Sequence, residues 1–447
     1  MSTTAFVDVT AVAMDEERLL EHQTVLVQEG RIVACGSVAD VVLPDDAVRI
    51  DGRGRYLMPG LVDMHVHYNT SGPTMEPSFA VLFLANGVTT VRNMAGAPAY
   101  LAARNLIARG EGFGPAIYTS GPIMDGQPPV WPGSVVIETK EEAERSVAEL
   151  KERGYDFLKV YSNLTIEAYD AIIVAARRYG MRVVGHVPER VGLQHVLESG
   201  QSSVEHLHGY LSALADGEAA GTNYFERTLH ALEHGDESKI PILAGWTAES
   251  GAWNCVTLVV HRRMGRGRIA FEEERQRPEL RYLSPVYETE WTRQLAPAGD
   301  PARIESALRR AEELRGKIVR ALRAVGAPLL LGSDTPNPFV IPGFSIHEEL
   351  ELLVEAGLSP FEALRAGTRD AAAFLGALDE FGSVAPGLRA DLILSEANPL
   401  DDVRNVARRV GVMVRGQWLS EAELQSMLED VATAAHEAPG DLGNHSH

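Results

Sequence analysis

The sequence predicts an α/β protein: a (β/α)₈ (TIM) barrel with a small β-sandwich domain built from both chain ends. Three observations support this prediction. Short strand-and-turn patterns fill the first 56 residues and return near the C-terminus. Between them, eight short apolar segments alternate with helical patterns. The ends of those segments carry His, Lys and Asp, where the interior of a packed barrel strand would be branched and apolar.

The small β domain is indicated by alternating apolar residues and by turns that contain glycine. The N-terminal segments are AFVDVTAVAM, QTVLVQEGRIVACGS and AVRIDGRGRYLMPG, and the C-terminal ones are ADLILSEAN and VGVMVRGQWLS. We therefore expect residues 1–56 and 385–425 to form one composite domain. Residues 57–384 should form the barrel, and residues 426–447 should be a C-terminal tail.

The candidate barrel strands are eight apolar segments at residues 60–67, 88–94, 116–121, 157–161, 182–187, 203–208, 254–260 and 328–334. Between most of them, apolar residues recur three and four positions apart, most clearly over 141–152 and 165–179. Strands that alternate with helices in this way are typical of parallel βα units. Eight such units with insertions predict the barrel.

The composition limits the partners of this protein. Its 447 residues can bury a large core, and its formal net charge is −21. An acidic protein lacks the basic surface that nucleic acid or an anionic membrane attracts, so we expect neither of those partners. The charge says little about a small-molecule substrate, which is the partner that we expect from the site residues below. Two distant cysteines exclude a disulfide scaffold and a Cys-rich zinc site. Neither a secretory signal nor a membrane-spanning run is visible, which predicts a cytoplasmic protein.

Side chains that can bind metals cluster at the ends of the candidate strands, where barrel enzymes place their reacting groups. The first strand ends in HVH, and alternation puts His65 and His67 on one face. Imidazoles and carboxylates suit Zn²⁺ and similar divalent ions, so the joint occurrence of these residues predicts a metal site. The remaining members of the set are Lys159, His186, His206 with His208 two residues further on, and Asp334.

Lys159 needs a separate explanation, because the chain has only five lysines against 36 arginines. An ammonium group is not a metal ligand, but burial near cations favours the neutral amine. A neutral amine can add CO₂ to become a carbamate, whose two oxygens could bridge two metals. Arginine could not take this role, since its guanidinium stays protonated in proteins.

These residues lie in motifs that resemble those of the amidohydrolase superfamily. The motifs are PGLVDMHVH, FLKVY, VVGHV, SVEHLH, LLLGSDTPN and the closing GSVAPGLRADLILSEANPL, so the likeness covers about residues 1–420. Their order is most similar to the branch that contains imidazolonepropionases and bacterial Xaa-Pro dipeptidases. Two features depart from the dipeptidase pattern: Pro188 stands where Tyr is common, and the loop GPIMDGQPPVWPGS has no His.

The resemblance implies a binuclear metal centre in a homo-oligomeric enzyme. Its cofactors would be two divalent ions, with Zn²⁺ as the first candidate, and a carbamate made from CO₂ on Lys159. His65 and His67 would bind the more buried α metal, and His186 and His206 the β metal. Carboxylated Lys159 would bridge the two ions.

The reaction that the resemblance implies is hydrolysis by a hydroxide that bridges the two metals. Asp334 would contact the α metal and take the proton of the attacking hydroxide. The bond would be the amide of an N-acyl amino acid, a dipeptide or a cyclic amide. The alternatives are a carbamate, ester or phosphotriester, a deaminase that uses Glu189 of HVPER, and a non-catalytic barrel protein. Candidate substrate contacts are Tyr161, Arg92 and His208. Arg92 could pair with a substrate carboxylate or hold a structural one, and the second partner is favoured. Tyr161 could equally be a packing aromatic residue, and His208 could support a neighbouring ligand instead.

Overall fold

The computed structural model describes residues 3–68, 77–215, 224–295 and 301–437. Within these ranges the strands are β1 (Thr4–Ala11), β2 (Leu20–Gln28), β3 (Arg31–Ser37), β4 (Val48–Asp51), β5 (Tyr56–Pro59), β6 (Leu61–Val66), β7 (Val88–Asn93), β8 (Ala116–Asp125), β9 (Val135–Val136), β10 (Phe157–Val160), β11 (Arg182–Gly185), β12 (Ser203–Glu205), β13 (Trp253–Cys255), β14 (Leu329–Leu330), β15 (Leu392–Ser395), β16 (Arg409–Val414) and β17 (Gln417–Ser420).

The α-helices in the same ranges are α1 (Pro77–Ala85), α2 (Pro98–Ala108), α3 (Lys140–Glu152), α4 (Ile166–Tyr179), α5 (Leu193–Glu198), α6 (Tyr210–Leu214), α7 (Tyr224–His234), α8 (Ile240–Ser250), α9 (Leu258–Ile269), α10 (Phe271–Glu274), α11 (Pro285–Gln294), α12 (Pro301–Ala324), α13 (Ser345–Glu355), α14 (Pro360–Ala366), α15 (Arg369–Leu375) and α16 (Glu421–Glu437). Short 3₁₀ helices occupy Glu237–Lys239, Pro278–Tyr282 and Val403–Ala407. None of the helices described is long and apolar enough to cross a membrane.

Both chain ends contribute strands to one mixed sheet, as the sequence predicts. Its order is β17-β16-β15-β5-β1-β2-β3, with β4 also paired to β1. The two ends meet where β5 pairs antiparallel with β15, with Pro59 opposite Leu392. Alternate apolar residues of these strands, among them Phe6, Val25 and Leu394, form a separate buried cluster.

The middle of the chain forms the predicted barrel of parallel strands, in the order β6-β7-β8-β10-β11-β12-β13-β14. The last strand meets the first through backbone hydrogen bonds. The amide of Met64 donates to the carbonyl of Leu331 (2.9 Å), and the amide of Asp334 donates to the carbonyl of His65 (2.7 Å). The fold class is therefore confirmed, and closure brings the ends of the first and eighth strands into contact.

The seventh and eighth strands are shorter than the sequence predicts. The predicted strand at 254–260 pairs only at Trp253–Cys255, and helix α9 begins at Leu258. The cause is a buried carboxylate on α13, because Glu349 accepts hydrogen bonds from the amides of Leu258 (2.9 Å) and Val259 (2.7 Å). These bonds satisfy donors that begin a helix. The predicted strand at 328–334 likewise pairs with β13 only at Leu329–Leu330.

The predicted C-terminal segment 426–447 begins as a helix. Residues 426–437 continue helix α16, while residues 438–447 lie outside the described ranges. Leu424, Leu428 and Val431 are buried at helical spacing, so this helix packs one apolar face against the protein.

Candidate metal centre

Unusual backbone geometry aims the candidate ligands into the mouth of the barrel. His206 and Asp334 follow β12 and β14 with φ angles of 62° and 63°, in the left-handed region that non-glycine residues seldom adopt. Gly185 precedes His186, and a Cβ there would lie 2.2 Å from the carbonyl oxygen of Val160. Backbone strain of this kind persists where the surrounding structure fixes a functional side chain.

His65, His67 and Asp334 form the tightest group of potential ligands. One ligand atom from each lies within 4.8 Å of the other two. The Nε2 atom of His67 is 3.1 Å from Asp334 Oδ1, and the Nε2 atom of His65 is 3.4 Å from the same oxygen. The structure therefore brings the first and eighth strand ends together, as the sequence predicts.

The histidines of the fifth and sixth strands complete this cluster. The ring of His206 lies 4.4 Å from that of His65 and 5.2 Å from that of His186, measured between centroids. Hydroxyl groups hold both rings, since His206 Nδ1 is 2.7 Å from Thr257 Oγ1 and His186 Nδ1 is 3.0 Å from Ser162 Oγ. Burial lowers the pKa of His65, His186 and His206 well below the ordinary value, which favours the neutral form that binds metals.

Lys159 is buried beside these histidines, with 1% of its surface exposed. Among the described residues its Nζ atom has no hydrogen-bond partner. Burial lowers its pKa to about 8, although the charges of Glu205 and Asp334 act in the opposite direction. A buried ammonium without a partner is costly, so this nitrogen requires either neutralisation or a further group.

Of the two partners that the sequence leaves open for Arg92, the structure contains the favoured one, a structural carboxylate. Arg92 is fully buried beneath the histidines, where its Nη2 donates to both oxygens of Glu205 (3.0 and 2.9 Å). Its Nε donates to the carbonyl of Met64, and its Nη1 donates to Ser203 Oγ. The guanidinium is thus occupied inside the barrel and cannot meet a ligand.

Glu205, which the sequence analysis missed, orients His65. Its Oε2 atom accepts a hydrogen bond from His65 Nδ1 at 2.9 Å, and both residues are fully buried. A carboxylate that holds the second nitrogen of a ligating histidine fixes both its tautomer and its orientation. The available signal was the alternation of Ser203 and Glu205 in SVEH, which points a carboxylate into an apolar barrel where it needs the cation of Arg92.

A second buried carboxylate binds the backbone of the first barrel strand and of the segment that follows the eighth strand. Asp63 accepts hydrogen bonds from the hydroxyl and amide of Ser333 (2.5 and 2.9 Å) and from the amide of His65 (3.2 Å). Burial raises its pKa to about 7. Asp63 therefore ties the strand that carries His65 to the segment that carries Asp334.

The mouth of the site has an aromatic side. The ring of Tyr161 stacks on His186 with centroids 3.9 Å apart, and the Nε1 atom of Trp131 donates to Tyr161 Oη at 2.7 Å. His208 stacks on the other side of His186 at 4.4 Å, with its Nε2 3.7 Å from Glu189 Oε1. Tyr161 and His208 thus lie beside the cluster, while Trp131 is an addition that no spacing in the sequence indicated.

The donor set fits a divalent cation. Since His65 Nδ1 donates to Glu205, the neutral ring presents the lone pair of Nε2 towards Asp334 Oδ1, and Nε2 has no hydrogen-bond partner among the described residues. Two electron-rich atoms that face each other at 3.4 Å are stabilised by a cation held between them. Nitrogen and carboxylate ligands are those that zinc and related ions prefer.

Comparisons with known proteins agree with this geometry. The model of the amidohydrolase family matches residues 56–419. A bottromycin amidohydrolase structure is 28% identical, with a TM-score of 0.76 over 99% of this chain and 93% of its own. A structure of a Xaa-Pro dipeptidase with bound methionine is 19% identical, with a TM-score of 0.68 over 94% and 100% of the two chains, which is a likeness of fold.

Two curated relatives differ in how much of them this chain matches. An ochratoxinase from Aspergillus niger is 23% identical over 86% of this chain and 79% of its own length. An adenine deaminase from Shouchella clausii is 40% identical, but the match spans only 15% of this chain and 12% of the deaminase.

Proposed function

Because this chain belongs to the amidohydrolase family, we propose that it is a metal-dependent hydrolase that cleaves a carbon–nitrogen bond in a small molecule. One observation carries the proposal: the buried His65 directs Nε2, which has no hydrogen-bond partner in the described part of the chain, at the carboxylate of Asp334, within the cluster that also contains His67. Such an arrangement is costly in an apolar barrel interior unless a cation compensates it, and its donor atoms suit a divalent ion.

We assign the ligands as two pairs of histidines joined by Lys159. His65 and His67 would hold one ion, and His186 and His206 the other, with Zn²⁺ as the proposed metal. The amine of Lys159 would attack the carbon of CO₂ and lose a proton to form a carbamate, which would supply anionic oxygen ligands for the two ions. This modification would also give the buried Nζ a delocalised anion that the neighbouring cations stabilise.

When bound, the ions supply Lewis-acid polarisation of the substrate carbonyl and a water nucleophile at neutral pH. A side chain of the protein would transfer the proton of the attacking water. Asp334 stands among three imidazoles, with Oδ1 near His65 and His67 and Oδ2 3.6 Å from His206 Nδ1. Its carboxylate would take a proton from the attacking water and deliver it to the departing nitrogen. The proton is needed because the nitrogen leaves as a neutral amine and not as an anion.

The proposed substrate is an amide: an N-acyl amino acid, a dipeptide or a cyclic amide. The names of two structural neighbours, an amidohydrolase and a dipeptidase, support this class. The aromatic pair of Trp131 and Tyr161 offers an apolar surface and a hydroxyl beside the histidines, which suits the uncharged part of such a substrate.

The test is a hydrolysis screen of the full-length protein reconstituted with Zn²⁺, Mn²⁺ or Co²⁺. The panel contains N-acyl amino acids, dipeptides and lactams, with carbamates, esters and a phosphotriester as the alternative chemistry. Adenine, scored by release of ammonia, tests the deaminase alternative. We expect two metals per chain and turnover of amides that the Asp334→Asn variant lacks. Ammonia from adenine without turnover of any amide would contradict the amide assignment, and the absence of bound metal would contradict the metal-dependent hydrolase.

A further inference from the structure

A cavity of about 230 Å³ lies on the outside of the barrel, separate from the candidate metal centre. It lies among helices α9, α12 and α13 and has an apolar side formed by Leu258 and Leu352. Four arginines line the cavity: Arg262, Arg309, Arg315 and Arg320. The volume is several times the ~30 Å³ share of one water molecule, so a small organic or inorganic ion fits inside.

Arg315 is the unusual member of this group. Only 7% of its surface is exposed, and within the described part of the chain its guanidinium makes neither a hydrogen bond nor an ion pair. Arg320 also lacks an ion pair among these residues, but it is exposed. It lies five residues after Arg315 on α12, which is about one and a half helical turns. Buried charges in proteins are paired or bind a ligand, because desolvation without compensation is expensive.

Within the described part of the chain, none of the acidic residues that line the cavity pairs with Arg315, and each contacts another cation instead. Arg262 contacts both Glu312 (2.5 Å) and Glu355 (2.8 Å). Glu313 contacts Lys317 (2.7 Å) and Arg310 (3.0 Å). The cavity is therefore lined at its inner end by a guanidinium whose N–H groups make no hydrogen bond to the described residues, and at its exposed end by a second cation, Arg320.

We propose that this cavity is a binding site for a small oxyanion, either a phosphate group or a carboxylate, held by the fork of Arg315 and assisted by Arg320. A planar guanidinium matches two oxygens of either group through parallel charge-assisted hydrogen bonds. Leu258 and Leu352 would contact an apolar part of the ligand. The site does not depend on the hydrolase proposal, although His261 at its edge donates from Nε2 to the carbonyl of His206 at 3.0 Å.

The experiment is isothermal titration of the full-length protein at constant ionic strength. The probes are inorganic phosphate, acetate and butyrate, with chloride as the reference ion. Arg315→Met removes the buried fork, Arg320→Gln the exposed cation, and Arg323→Gln is the control, since that arginine lies on the same helix and pairs with Glu362 instead. Comparison of the phosphate titration with the acetate and butyrate titrations decides between the two oxyanions.

We expect one saturable site per chain, weakened about tenfold or more by Arg315→Met, less by Arg320→Gln, and unchanged by Arg323→Gln. Phosphate bound at the metal centre would not respond to Arg315, so equal binding by wild type and Arg315→Met overturns the proposal. Absence of binding by every probe overturns it as well. Replacement of an unpaired buried charge by an apolar side chain is neutral or stabilising, so Arg315→Met should keep or raise the Tm and lose its response to the ion.

Discussion

The same histidines are supported by two sets of side chains that differ in exposure. The first set, which we name the floor, consists of Arg92, Ser203, Glu205 and Asp63; all are fully buried. The second set, the wall, consists of Trp131, Tyr161, His208 and Glu189. Trp131 has 40% of its surface exposed and meets the site through one hydrogen bond to Tyr161.

The difference shows how one site separates two tasks. The floor contacts only protein atoms, so it can position ligands but cannot select a substrate. The wall reaches solvent at Trp131, so its side chains can contact a substrate. Such contacts need not change which ring nitrogen of a ligand histidine is protonated. Changes in the floor should therefore alter metal binding, and changes in the wall should alter KM.

The largest effect is expected for Lys159→Arg. Arginine keeps a positive charge but cannot form a carbamate, so the bridge between the two proposed ions would be lost. We expect the metal content per chain to fall and amide hydrolysis to drop to the background rate. Metal analysis and intact mass measure the two effects. Lys151→Arg, on the exposed side of α3, is the control and should change neither; a fully active Lys159→Arg would refute the bridge.

Asp334→Asn should separate proton transfer from metal binding. The amide keeps the shape of the carboxylate but cannot accept the proton of the attacking water. We expect kcat to fall by about 10²–10⁴-fold, the usual contribution of a general base, while most of the metal is retained. Steady-state kinetics and metal analysis of the same preparation test this, and wild-type turnover by Asp334→Asn would remove the assigned role.

Glu205→Gln tests the floor directly. Glutamine leaves Arg92 buried without its carboxylate and offers His65 Nδ1 a weaker acceptor. We expect metal affinity to weaken about 10–100-fold, as is typical for loss of a side chain that hydrogen-bonds a metal ligand. A higher metal concentration should restore the hydrolysis rate. Competition with a chelator gives the affinity.

The matched control for that change is Glu274→Gln. Glu274 is also buried and bound by arginines, Arg263 and Arg266, but it lies on α10 away from the histidines. It should lower the Tm without changing metal affinity. Equal loss of metal in both variants would mean that Glu205 acts only through general stability.

The same division explains what the sequence could predict. The histidines, Lys159 and Asp334 stand at strand ends, so alternation and strand order alone located them. For Arg92 the sequence favoured a structural carboxylate as the partner but could not name it, because no spacing reveals that Ser203 and Glu205 occupy its donors across the barrel. The short seventh strand depended on Glu349 of α13, about 90 residues away in the chain, which periodicity cannot register.

Trp131→Phe should give the smallest effect and tests the wall. The change keeps an aromatic surface but removes the hydrogen bond that fixes the Tyr161 hydroxyl beside His186. The loss of one neutral hydrogen bond corresponds to about 0.5–1.5 kcal/mol, so we expect KM for the best amide to rise by a few-fold up to about tenfold. Metal content should stay the same, because no atom of Trp131 supports a proposed ligand through the floor. Trp246→Phe, on α8, is the control and should leave KM unchanged. A fall in metal content for Trp131→Phe would show that wall and floor are coupled, and the division of tasks would then fail.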